Sequence, residues 1–184
     1  MKKYFQIAVL LAMVAMMGGC ATPARVDQMT VEGQPSQRIA ATPFRNHLMV
    51  RDVTGGQETN PMWRSSIGSN EFRQALEGSL RAVGLLSLDP NSRYLLTAHL
   101  EKVDQPFAGF DMTVTASVRY TVSERATGKE VFGRTVAVPY TASFGDSLLG
   151  AERLKLANEG AVRANITQLI DELFRSNIQN VSIK

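Results

Sequence analysis

A chain of 184 residues with a formal charge of +3 and a single cysteine has room for one domain with a real core. A lone cysteine excludes a disulfide framework and a thiolate metal site. Lys2 and Lys3 supply part of that charge, and no block of like charges occurs anywhere, so a nucleic-acid-binding arm is excluded too. The absence of an internal period rules out a hexapeptide-repeat acyltransferase.

The leader comes first. Lys2 and Lys3 form a positive start, Tyr4 to Met17 is apolar apart from Gln6, and Gly18 and Gly19 lead to Cys20. That is the build of a secretory signal. The apolar run falls short of the roughly 20 residues that a membrane-spanning helix needs. The string Met17-Gly18-Gly19-Cys20 resembles the lipobox of bacterial lipoproteins, with Met17 at the place usually held by Leu. The resemblance implies that residues 1–19 are removed and that Cys20 is acylated, anchoring the chain to a membrane. Ala21 stands where enteric lipoproteins kept in the inner membrane carry Asp, which implies the inner leaflet of the outer membrane, facing the periplasm.

Residues 20–40 are expected to be the lipidated start and a flexible tether, with Thr22, Pro23, Gly33, Gln34 and Pro35 and few large apolar groups. Such a tether spans roughly 25 Å root-mean-square. Residues 41–184 are expected to form one domain. Phe44 to Val53 reads as a strand, ended by Thr54-Gly55-Gly56, and a loop with Trp63 follows. Ser69 is placed to cap a helix whose face is Phe72, Ala75, Leu76, Leu80 and Val83, with Gly84 as its stop.

Three strands come next. Tyr94–Val103 is the first. Asp111–Ser123 has the cleanest alternation in the chain, with Met112, Val114, Ala116, Val118, Tyr120 and Val122 on one face. Ala126-Thr127-Gly128-Lys129 reads as a hairpin turn into Val131–Ser143, where Gly133 suggests a bulge and Pro139 an edge. Asp146 or Ser147 opens a last long helix bearing Leu154, Ala157, Ala161, Ile166, Leu169 and Ile170, which Gly160 could bend. The tail Ile178–Lys184 reads either as a short strand or as disordered. The fold expected is α+β: a two-layer sandwich of about four antiparallel strands with two amphipathic helices on one face, in the order βαβββα.

No catalytic signature appears. Glu77-Gly78-Ser79 lies inside a helix and reads Ser79 as a surface residue, and Gly128-Lys129-Glu130 reads as a turn rather than a phosphate loop. His47 and His99 read as solvent-facing strand residues, with no ligand spacing for a metal. No catalytic residue, metal or cofactor is therefore assigned. Two places could serve recognition. Phe107 and Phe110 lie in the loop Gln105–Phe110, as a partner or membrane contact, or as rings folded back over the end of the core. Trp63 beside Arg64 is either a contact or a cap on the core. Core capping is the favoured reading of both.

The lipobox, the element order and the Ala157–Ile166 segment of the last helix together resemble small Gram-negative envelope lipoproteins, most of all those of the YajG type. Lipopolysaccharide-assembly lipoproteins and the auxiliary lipoproteins of lipid-transport ABC systems are similar in architecture only. The resemblance implies a periplasm-facing accessory or binding protein without catalysis, held to the membrane by its N-terminus and working with an envelope protein partner. A hydrolase of envelope polymers and a lipid carrier with a cavity between helices and sheet are the alternatives.

Overall fold

The computed structural model of the chain describes residues 22–33, 41–57 and 66–176. Its elements in chain order are α1 (Val26–Met29), β1 (Leu48–Gly55), α2 (Ser69–Ala82), β2 (Tyr94–Asp104), β3 (Met112–Glu124), β4 (Glu130–Ala142) and α3 (Gly150–Arg175). The four strands lie in the order β1-β2-β3-β4, with the helices on one face. The α+β sandwich and its strand–helix–three-strand–helix succession are as expected, with α1 as an additional short helix.

One strand pair differs in direction. β1 and β2 run parallel, whereas β2–β3 and β3–β4 are antiparallel. The reason is the connection. α2 carries the chain back along the sheet between β1 and β2, so β2 starts beside the start of β1, with Leu48 opposite Tyr94. Hairpin-length links join the other strands and reverse the chain.

The alternation of β3 holds over its whole length: Met112, Val114, Ala116, Val118, Tyr120 and Val122 are all buried. The other strands change phase once each. Arg51, Glu101 and Val131 are extra residues against their partner strands. Arg51 lets Val50 and Val53 both reach the core although they are three apart. Val131 does the same for β4, where Val131 and Phe132 are both buried. The expected bulge thus lies two residues before Gly133. Pro139 sits on β4, the edge strand, opposite Thr115, as expected for a proline within a sheet.

α2 packs over β1 and α3 over β3 and β4, while α1 lies between α2 and α3. α2 begins at Ser69 with Gly68 as its cap, and α3 begins at Gly150, after Asp146 and Ser147. Asp146 instead accepts the Ser143 N–H at 2.7 Å and closes the preceding turn. Gly160 serves a close approach: a Cβ there would fall onto the Tyr140 ring of β4. Asn165 is fully buried and ties α3 to the sheet. Its Nδ2 donates to the carbonyls of Ala116 and Val136, both at 2.8 Å, and its Oδ1 accepts from the Tyr120 hydroxyl at 2.7 Å.

The tether expected over 20–40 is corrected for residues 22–33, which pack on the domain. Ala24 and Met29 are buried, and Val26 and Val31 pack against the same core. Arg25 grips the buried Glu159 of α3 through its Nε at 3.0 Å and its Nη2 at 3.1 Å, and its backbone N–H donates to the same carboxylate at 2.8 Å. Apolar residues between the polar ones are what dock this stretch. Ser79 is corrected with it. It is buried, donates to the Ala75 carbonyl at 2.6 Å and accepts the Val31 N–H at 2.8 Å. The segment after α1 covers what would otherwise be a helix surface.

Candidate functional site: an apolar end of the sandwich

β2 ends, β3 begins, β4 ends and α3 begins at one end of the sheet. Two loops meet there, residues 105–111 and 143–149. Pro106 and Gly109 break any regular continuation in the first. Phe107 is 103% exposed, Phe110 80%, Leu148 78%, Leu149 64% and Phe144 44%. These large apolar side chains form an exposed apolar cluster at one end of the sandwich rather than scattered surface residues.

The expectation that Phe107 and Phe110 fold back over the core is corrected. Met112, Ala142 and Leu154 already close that end of the core, so the rings project outward. They project from a braced frame. Arg153, buried on the first turn of α3, donates through Nη1 to the Ser147 carbonyl at 2.6 Å and through Nη2 to the Gly109 carbonyl at 3.1 Å. One side chain thereby joins both loops. Its guanidinium also lies 5.1 Å from the Phe144 ring centre. Phe110 and Phe144 meet edge-to-face at 5.8 Å. The Asp111 carboxylate accepts the Phe144 N–H at 3.0 Å.

Sequence reasoning found Phe107 and Phe110 but missed Phe144, Leu148, Leu149 and Arg153. The signal for the leucines was present: Leu148-Leu149-Gly150 stands outside the apolar period of α3. Nothing local marks Arg153 as a buried brace.

The N-terminal segment arrives at the same end. Lys155 Nζ donates to Thr22 Oγ1 at 3.2 Å, Arg25 meets Glu159, and Arg163 donates to the Gln28 carbonyl at 2.8 Å. Residues 22–28 therefore run beside α3 in its own direction. Followed backwards, they lead to the first turn of α3. Cys20, the residues Met17, Gly18 and Gly19 expected to form a lipobox, Trp63 and the 178–184 tail lie outside the described residues.

The two histidines lie outside this apolar cluster. His99 Nδ1 is 2.8 Å from Thr54 Oγ1 on the wet face, and His47 is exposed just before β1. An open cleft of about 430 Å³ beside β1 and β2 is lined by Gly55, Ser66, His99, Glu101 and Lys102 among others. No group of three or more His, Cys, Asp or Glu side chains able to hold a metal occurs among the described residues. Burial raises the Tyr120 hydroxyl well above its ordinary pKa, and the hydrogen bond that Arg25 donates to the Glu159 carboxylate raises the guanidinium. Both are structural positions. No described helix is long and apolar enough to cross a membrane.

No family model matches the chain. No curated protein matches it either. Its fold recurs in solved structures. A Xanthomonas campestris protein of the DUF330 family superposes with a TM-score of 0.62 at 14% identity, over 86% of this chain and 97% of that one. A candidate lipoprotein from Caulobacter crescentus gives 0.50 at 14% identity, over 71% and 89%. A minor lipoprotein from Acinetobacter baumannii gives 0.49 at 11% identity, over 71% and 94%. At these identities the likeness is one of fold: the chain has a bacterial lipoprotein-like fold.

Proposed function

We propose that the protein is a lipid-anchored, periplasm-facing accessory or binding lipoprotein of the bacterial envelope, of the YajG type. It is acylated at Cys20 and held in the inner leaflet of the outer membrane. It works by contact with an envelope protein partner rather than by catalysis. The observation that carries this reading is the only cysteine, standing directly behind a charged start, a short apolar run and two glycines. Two long acyl chains at about 0.8 kcal/mol per buried CH₂ make such an anchor stable. The lipoprotein-like fold supports it.

The alternatives have less support. A lipid carrier needs space between its layers, yet α3 touches the sheet directly through Gly160 on Tyr140 and Asn165 on two strand carbonyls. A hydrolase would have to work from the cleft around His99, whose ring nitrogen is engaged by Thr54.

Mass spectrometry of the mature N-terminus tests the anchor. Acylated Cys20 is expected, and Cys20→Ala is expected to remain unprocessed. A mature chain starting elsewhere overturns the reading. Density-gradient fractionation tests residence: recovery with the inner membrane overturns the outer-membrane assignment. Affinity capture from detergent-solubilised envelope should return a reproducible protein partner. Cleavage of envelope polymers by the purified protein, lost on His99→Ala, would instead establish the hydrolase.

A further inference from the structure

The position of Thr22 beside Lys155 bears on which way the domain faces. Cys20 is two residues from Thr22, and two residues reach at most roughly 7 Å. α3 is roughly 39 Å long at 1.5 Å per residue, and Lys155 is only about 8 Å from its start. The cysteine can therefore reach the end of the sandwich that carries Phe107, Phe110, Phe144, Leu148 and Leu149. It cannot reach the opposite end, where Ser87 donates to the Leu48 carbonyl at the start of β1.

We propose that this apolar end is a membrane-seating face, with Phe107, Phe110, Leu148 and Leu149 entering the headgroup region of the same leaflet that holds the Cys20 acyl chains. The proposal rests on acylation of Cys20 as proposed above. Its occupant is a lipid surface. An anchor at this end brings the exposed side chains to the bilayer without a tether to lift them clear. An amphipathic surface with apolar tips and a polar frame behind them suits an interface. The two loop carboxylates fit it, because Asp111 accepts the Phe144 N–H and Asp146 the Ser143 N–H and hydroxyl. Arg153 turns inward to the loop carbonyls. Contact is thus carried by apolar side chains and not by charge.

The test uses the full mature lipoprotein in phosphatidylcholine vesicles. Its one cysteine is consumed by acylation, so Phe107→Cys, Leu148→Cys and Leu88→Cys each offer one thiol to an environment-sensitive fluorophore. Leu88 is as exposed as Leu148, at 82% against 78%, and lies at the opposite end. Labels at 107 and 148 are expected to blue-shift and to be quenched by doxyl groups on the lipid chains, while the label at 88 stays in water. The contrast should persist in 1 M salt, where charge interactions are screened within about 3 Å. Acylated protein with 107 and 148 in water, or with all three labels quenched alike, overturns the proposal. So does shielding at 107 and 148 that appears only in native envelope membranes, or only by self-association without lipid quenching. The mass of the vesicle-bound protein separates the two failures: a chain without acyl groups defeats the anchor reading, an acylated chain with unquenched labels defeats only the seating.

Discussion

Asn165 stands where α3 crosses β3 and β4, and its side chain does three jobs there. Two strand carbonyls accept hydrogen bonds from its amide, and its oxygen accepts one from the Tyr120 hydroxyl. A buried polar group with every partner present costs little, but one left half-satisfied costs about 1–3 kcal/mol. Tyr120→Phe should therefore lower stability by about 1–3 kcal/mol in denaturant melts at neutral pH, because Asn165 Oδ1 loses its donor. A second readout is pH. Burial raises the Tyr120 pKa above that of the unfolded chain, so the folded state holds its proton more tightly. That contribution is present in full below the unfolded value of about 10 and declines as pH rises toward the folded value. Wild-type should lose stability above about pH 10 by up to roughly 1.4 kcal/mol per pH unit more steeply than Tyr120→Phe. Parallel alkaline melts of the two proteins would contradict the burial argument.

Strands and helices meet here under tighter terms than periodicity alone requires. The buried face of β3 is unbroken, so Val118→Asp should bury an unpaired charge and unfold the domain, while Thr115→Asp on the other face should cost within about 1 kcal/mol. Thermal melts of both variants check it, and equal losses would mean that both faces are covered. The α3–β4 contact gives a sharper case. Alanine is favoured over glycine within a helix by about 1 kcal/mol. At position 160 a Cβ meets the Tyr140 ring, so Gly160→Ala should instead destabilise by about 1–3 kcal/mol. In a Tyr140→Ala background the same substitution should stabilise by up to about 1 kcal/mol. A double-mutant cycle reads this change of sign directly.

At the scale of the whole molecule, the N-terminal segment is part of the domain. Met29 is fully buried between α2 and α3, and Arg25 closes over Glu159. Met29→Ala should cost about 2–5 kcal/mol, the range for a large core side chain cut to alanine. A flexible tether would leave the melting curve unchanged. The outcome also bears on the proposed orientation, since a docked segment would hold an anchor at Cys20 at one end of the sandwich and a loose one would let it wander.

The chain's own pattern determined the α+β class, the succession of elements and the buried face of β3, and it alone carries the proposal of a leader ending at Cys20. Those features rest on short-range physics: apolar runs, the two-residue alternation of strands, the three-to-four spacing of helices, and turn residues such as Gly128, with φ at 71°. Only the tertiary structure decided that β1 and β2 run parallel, because direction depends on where α2 returns the chain. It also decided that one extra residue in each of β1, β2 and β4 shifts the alternation, since a bulge is defined only against a partner strand. Ser79 and Met29 became interior residues because a segment distant in sequence covers them. The candidate site was half legible. Phe107 and Phe110 stood out as apolar residues in a loop, but their exposure, and their union with Phe144, Leu148 and Leu149 through Arg153, depends on two loops some 40 residues apart sharing one sheet end. A contact between distant segments has no period and no local signature, and so it is visible only once the chain is folded.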